Sequence, residues 1–277
     1  MLFQYGEGIH YFAVGIMRSL VSLGLSNLRT LLNIFVMKKI IIILTGLISL
    51  GSNLPCSAQN PQHKIDSLES LLKRHPQRDT TRVKLLLELA THAMTSDIDR
   101  CKQITDEQIH ISDSLKYNYG LAFGYLRLAY YYGIKNDDSL FLVNSKKCLA
   151  IAERIKEKYI QGVVYVNLGG HYYTKLGQVD SALYFMDKSI ACFDKNDDRN
   201  KEMLGMSLCN AGSVYLQQGD YKKALDYFLR SQKISEECKL TAYLFNIYYN
   251  LSLVYSDELK NEKAAREYAE KALKFSQ

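Results

Sequence analysis

Tryptophan is absent from this 277-residue sequence, and proline is almost so. The three prolines, Pro55, Pro61 and Pro76, all lie in the first third. Proline removes a helical hydrogen bond and clashes with the turn before it, so the proline-free run from residue 77 onward favours long uninterrupted helices. No cysteine pair has C-x-x-C spacing, and no two histidines sit four apart around a glutamate, so no metal-site pattern is present. Neither G-x-x-x-x-G-K nor G-x-G-x-x-G occurs, which removes both phosphate-cradling loops. The 35 Lys and Arg against 29 Asp and Glu leave a net charge of +6, spread along the chain without a basic run. Charge alone therefore argues against a nucleic-acid partner. Tyrosine, by contrast, is abundant at 21 residues, in a chain that is 47% hydrophobic and 23% charged. That balance suits a solvated, folded protein.

The N-terminal region reads as an address. Residues 37–58 are MKKIIIILTGLISLGSNLPCSA. Met37-Lys38-Lys39 is a short basic start, Ile40–Leu50 is an apolar core of 11 residues, and Cys56-Ser57-Ala58 ends on a small residue. This is the three-part layout of a secretory signal peptide, too short in its apolar core to span a bilayer. Cleavage after Ala58 leaves Gln59 as the mature N-terminus and implies an exported, periplasmic protein. Residues 1–36 then read as an upstream extension from a start assigned too early, with Met37 the true start. A membrane helix over residues 9–25 would carry Arg18 mid-span, where charge is costly. A lipoprotein acylated at Cys56 is the alternative, against which Pro55 is a poor fit to the small residue expected there. The five later cysteines, Cys101, Cys148, Cys192, Cys209 and Cys238, are odd in number and read as small buried apolar residues. A Cys192–Cys209 bridge between consecutive helices is the other possibility.

The rest of the chain repeats. LAYYY (128–132), LGGHY (168–172), AGSVY (211–215) and LSLVY (251–255) align, each ending in tyrosine, at spacings of 40, 43 and 40 residues. Three before each tyrosine stands a small residue: Ala129, Gly169, Gly212 or Ser252. Asn167, Asn210 and Asn250 stand five before in three of the four copies, and a weaker first copy has Leu89, Ala90 and Ala93. The second half of the unit recurs as 177–190, 218–234 and 261–273, with Ala224, Phe228 and Ser231 in the clearest copy. Apolar residues at i, i+3, i+4 and i+7 mark amphipathic helices, and small residues at fixed points let two backbones approach. Each unit therefore reads as a helix–turn–helix hairpin, with Gly219-Asp220 the tightest turn signal.

These features resemble the tetratricopeptide repeat, whose L-G-x-x-Y and A-x-x-x-F elements are matched by Ala211-Gly212-Ser213-Val214-Tyr215 and by Ala224 to Phe228. The resemblance covers about residues 79–277. It implies an all-α fold, a right-handed superhelical solenoid of antiparallel helix hairpins. The departures are Phe141 in place of the second-helix alanine, no terminal proline, and periods longer than usual, which longer helices and connections explain. The expected layout is an N-terminal helix or cap within 59–78 (helix at about 62–74), then five hairpins at about 79–115, 118–158, 159–195, 199–238 and 240–276. The texture of DSLESLLKR and DTTRVKLLLELA also resembles exported sensor halves of bacterial histidine kinases and helix-turn-helix regulators.

Chemistry is sparse. His171 lies inside a repeat motif without a nucleophile to serve. Ser70-Leu71-Leu72-Lys73 has S-x-x-K spacing but no companion motif. Asn136-Asp137-Asp138 and Asn196-Asp197-Asp198 read as solvated turns, since neither continues as an EF-hand loop. The reading is a non-enzyme without cofactor or metal.

What remains is a surface. Helical-repeat arrays line their concave side with first helices. The resemblance places groove positions nine, six and two before each tyrosine: Phe123, Leu126 and Tyr130; Val163 and Val166; Met206 and Cys209; Tyr249 and Leu253. Family members that grip a C-terminal carboxylate carry Lys, Asn and Arg there. Here the positions are apolar, so the expected partner is a peptide or protein held in an apolar groove, with no nucleic acid. Packing of these side chains on one another is the competing explanation. The alternative function is the truncated periplasmic sensor region of a membrane histidine kinase or helix-turn-helix regulator. At the C-terminal end, Leu251, Tyr255, Ala265, Tyr268 and Ala272 are expected to leave an uncapped apolar face, open to a second copy as a homodimer.

Overall fold

The computed structural model describes residues 61–193 and 197–275. The expected extension 1–36 and leader 37–58 lie outside the described residues. Eleven helices are described: α1 Pro61–Arg74, α2 Thr80–Ser96, α3 Ile98–Ser114, α4 Asn118–Ile134, α5 Asp138–Arg154, α6 Lys158–Thr174, α7 Val179–Cys192, α8 Asp198–Gln218, α9 Tyr221–Glu237, α10 Thr241–Asp257 and α11 Glu262–Lys274. No strand occurs among the described residues, and none of the described helices is long and apolar enough to cross a membrane. The fold is all-α, a helix-hairpin repeat in which α2–α3, α4–α5, α8–α9 and α10–α11 pair, and α1 precedes the first hairpin.

The chain forms two compact units that divide between Val164 and Tyr165. In the N-terminal unit, Ile65, Leu68 and Leu72 form one stripe on α1 at i, i+3 and i+7. The stripe packs on Val83, Leu86 and Leu89 of α2 and on Ile111 of α3. A second cluster joins Ala90, Ala93, Met94 and Cys101, with Tyr130 of α4 against it. In the C-terminal unit, Met186, Ala211 and Val214 form a buried cluster flanked by Tyr173, Leu183 and Tyr227.

The repeated tyrosine has a double role. Its carbonyl ends the first helix: Asp137 N donates to Tyr132 O (2.9 Å), Gln178 N to Tyr172 O (2.9 Å), Asp220 N to Tyr215 O (3.0 Å) and Asn261 N to Tyr255 O (3.0 Å). This is a Schellman-type closure, which satisfies a carbonyl left over at the helix end. The residue that closes one helix then caps the next: the side chains of Asp137, Asp220 and Asn261 accept from the backbone N–H of Leu140, Lys223 and Ala264. Three of the tyrosine rings pack across the hairpin. Tyr172 lies 5.1 Å from Phe185, Tyr215 5.3 Å from Tyr227, and Tyr255 5.3 Å from Tyr268. One side chain thus registers both helices of its hairpin.

Second-helix small residues admit the first helix closely. Ser231 Oγ donates to Gly205 O at 2.7 Å, and Cys148 Sγ to Ala122 O at 3.1 Å. All five described cysteines are free thiols, so the Cys192–Cys209 bridge is not formed. Burial raises the Cys148 thiol well above its ordinary range and takes Cys209 up to about 12, as small apolar core residues require.

The last hairpin differs from the sequence expectation. Leu251, Ala265 and Ala272 are buried, and Tyr255 and Tyr268 are half-buried against each other. The exposed face of α11 carries Glu262, Lys263, Arg266, Glu267, Glu270 and Lys274. Strong amphipathicity lets this helix spend one alanine stripe on its partner and turn charge outward, so these five residues do not form an open apolar end.

Candidate functional site

The groove positions lie on first helices, where apolar periodicity and small residues bring neighbouring backbones together. In the N-terminal unit, Leu126 and Val163 are each 1% exposed, whereas Phe123 and Tyr130 are half-buried. Phe123 and Tyr130 stand at i and i+7 on α4, one above the other on the same face. The Phe123 ring packs 4.9 Å from Tyr119. Tyr130 lies against the cluster containing Cys101, and burial pushes its phenol up to about 12. On α2, Lys84 takes the place equivalent to Phe123 in the weaker first copy and is exposed.

In the C-terminal unit, Val166, Met206, Cys209, Tyr249 and Leu253 are all buried. Tyr249 stacks on Phe245 at 6.3 Å, and burial lifts its phenol to about 12. Every described residue of α8 from Met203 to Val214 is buried. The structure therefore places two of the nine positions, Phe123 and Tyr130, where solvent reaches them, and seven within helix packing.

A polar position that first-helix periodicity left without a role proves structural. Five residues before each tyrosine stand Arg127, Asn167, Asn210 and Asn250. Arg127 is buried, and its guanidinium donates to Leu87 O (2.6 Å), Thr91 Oγ1 (2.5 Å) and Gln108 Oε1 (2.9 Å). Gln108 in turn donates through Nε2 to Gly120 O (2.8 Å). Desolvation brings Arg127 down to about 10, so it stays charged at neutral pH. Asn250 makes the corresponding bond in the other unit, through Nδ2 to Ser213 Oγ (3.3 Å). The signal was legible as an asparagine recurring in three copies. Its fourth member was hidden by a change of residue type.

His171 is buried, with its ring edge-on to Tyr172 at 6.3 Å. Asn136-Asp137-Asp138 is the turn before α5, and the Asp137 carboxylate is occupied as the helix cap. Among the described residues, no group of three or more His, Cys, Asp or Glu is placed to hold a metal ion.

Comparison with known proteins agrees with this geometry. A family model described as tetratricopeptide repeat matches residues 160–237 and 203–277. No curated protein sequence matches the chain. Among solved structures, the crystal structure of BtubC (BKLC) from P. vanneervenii is similar. It is 16% identical, with a TM-score of 0.62 over 78% of this chain and 87% of that one. At that identity the likeness speaks for the fold alone.

Proposed function

Because the chain is a tetratricopeptide-repeat protein, and such repeats are protein–protein interaction modules, we propose that it grips a peptide or protein partner through a largely apolar first-helix groove. The observation that carries this reading is the pair Phe123 and Tyr130. They are the groove positions that reach solvent, both are aromatic, and they stand two turns apart on one face of α4. Such a pair suits two apolar side chains of an extended or helical segment. The seven buried positions contribute packing within their own units rather than contact with a partner. We further propose that the protein works outside the cytoplasm, on the strength of the basic start, apolar core and small cleavage residue within 37–58.

The test is a pull-down from periplasmic extract, followed by titration of the captured partner against Phe123→Ala and Tyr130→Ala. Each variant weakens binding while helical content by circular dichroism is unchanged. Because apolar contact dominates, affinity changes little with salt. Loss of helix in step with loss of binding would assign both residues to packing alone. N-terminal sequencing of the exported protein returns Gln59; an intact chain with residues 1–36 in the membrane overturns the leader assignment.

A further inference from the structure

The face of α4 that carries Phe123 and Tyr130 holds a third half-buried ring. Tyr119, Phe123, Leu126 and Tyr130 follow one another at intervals of 4, 3 and 4 residues. On a helix these four lie in one narrow stripe, at the spacing of a heptad seam. Leu126 is buried, while Tyr119, Phe123 and Tyr130 are half-buried. The Tyr119 ring packs 4.9 Å from that of Phe123, so the aromatic surface is continuous along this part of the helix.

The neighbouring first helix of the same unit presents a different surface. Arg127 reaches from α4 to Leu87 O and Thr91 Oγ1 and so holds α2 alongside α4. Thr80, Lys84, Leu87 and Thr91 stand on α2 at the same intervals of 4, 3 and 4. Thr80 and Lys84 are exposed. Glu88, the next charged residue along α2, is paired with Lys64 of α1 at 3.1 Å. An aromatic row whose only charge, Arg127, is buried thus runs beside a polar row that exposes its charge to solvent.

Spacing decides what shape of partner fits. At 1.5 Å per residue, Tyr119 and Phe123 stand about 6 Å apart along α4, and Phe123 and Tyr130 about 10.5 Å. An extended segment rises about 3.3 Å per residue, so it would meet the three rings with residues i, i+2 and i+5. The third of these points away from the side that the first two share. A helix laid along α4 meets the rings with i, i+4 and i+11, or with i, i+7 and i+11 if antiparallel, and all three then lie on one face.

On the strength of the groove reading above, we propose that the partner segment is an amphipathic α-helix lying along α4, with its apolar stripe on Tyr119, Phe123 and Tyr130. Its polar side lies over Thr80 and Lys84 of α2. Charge complementarity requires both sides: a helix apolar all round would bury the Lys84 ammonium unpaired, and one charged all round would set charge on the rings. Tyr119 is then a contact residue of the groove beside the two already named.

The experiment is selection of a phage-displayed library of random 18-residue peptides on the full chain. Binding to the Phe123→Ala/Tyr130→Ala protein is screened in parallel, so that clones lost on that variant are those that use the groove. Such clones carry apolar residues at intervals of 4 and 7, and their synthetic peptides gain helical circular dichroism on binding. A proline in the middle of such a peptide weakens binding by about tenfold or more. Tyr119→Ala weakens it about fivefold, whereas Tyr119→Phe binds as the parent does, because the ring and not the hydroxyl makes the contact. Groove-dependent clones whose apolar residues alternate, or whose proline variants bind equally well, overturn the helix and leave the groove reading standing. A selection that yields no groove-dependent clone overturns both.

Discussion

Asn250 donates through Nδ2 to the Ser213 hydroxyl at 3.3 Å, reaching one hairpin back along the repeat. Arg127 reaches the Thr91 hydroxyl in the same way, from the equivalent position five residues before the repeat tyrosine. Both are polar staples between successive first helices, set in otherwise apolar contact. Arg127 also ties α2 and α3 to α4, but its charge is buried with neutral acceptors only among its described bonds. The two halves of that interaction are separable. Arg127→Ala removes the bonds and leaves a cavity, at a cost of about 2–4 kcal/mol. Arg127→Met keeps the volume and relieves the buried charge, so it costs less, within about 1.5 kcal/mol. Denaturant midpoints of the two variants check the order, and a methionine variant as unstable as the alanine one would make the charge itself essential.

Two glycines make opposite predictions. A Cβ on Gly212 would meet the Phe228 ring at 2.8 and 2.9 Å, and Phe228 is fully buried. Gly212→Ala therefore forces the ring to move and destabilises by about 1–3 kcal/mol. A Cβ on Gly170, within α6, meets nothing within 4 Å. Gly170→Ala gains helix propensity and stabilises by up to about 1 kcal/mol. Thermal melts of the two variants should move in opposite directions.

Turn residues give a second such pair. Lys239 follows α9 with φ of 55°, and Gly219 follows α8 with φ of 78°. Lys239→Gly relieves left-handed strain and stabilises by about 0.5–1 kcal/mol, whereas Gly219→Ala imports the strain and costs about as much. The closing bonds, Leu240 N to Ser235 O (2.8 Å) and Asp220 N to Tyr215 O (3.0 Å), are unaffected by either change, so helical content stays level while the denaturation midpoints separate.

How far these features were legible follows from what each depends on. The register of the hairpins was legible at Tyr132, Tyr172, Tyr215 and Tyr255, because the same residue must supply both a helix-ending carbonyl and, in three hairpins, a ring across the pair. The proposed groove was legible only as a set of positions. Periodicity names the face that Met206 and Cys209 share, but it cannot reveal that α8 is buried from Met203 to Val214. Exposure depends on what lies on every side of a helix, and that is tertiary. The packing of the last hairpin was not legible from its apolar residues alone, because the charges on the opposite face of α11 decide which side of that helix turns outward.

Alkaline pH should expose the tyrosine packing as a whole. Burial lifts Tyr130, Tyr173 and Tyr249 from the ordinary 10 to about 12. Tyr227 is raised to about 12 mainly for the same reason, with help from Asp187, and Tyr248 is pushed higher still by burial and by its bond to Glu236. A phenol whose folded value is raised contributes stability that is complete below its unfolded value and is lost as pH climbs through the folded one. Arg127 acts in the opposite sense. Its folded value is lowered to about 10, so the unfolded chain holds that proton more tightly and rising pH favours the fold through this group. One arginine stands against five tyrosines, and the tyrosines decide the direction. The buried Cys148 and Cys209 thiols, raised from an ordinary value near 9, act in the same sense as the tyrosines, so stability is level only from about pH 7 to 9 and falls from about 9 to 12, with tyrosinate absorbance and far-ultraviolet circular dichroism changing together in one cooperative step. Smooth ionisation centred on 10 with the helices intact would show that these rings are not held as the fold places them.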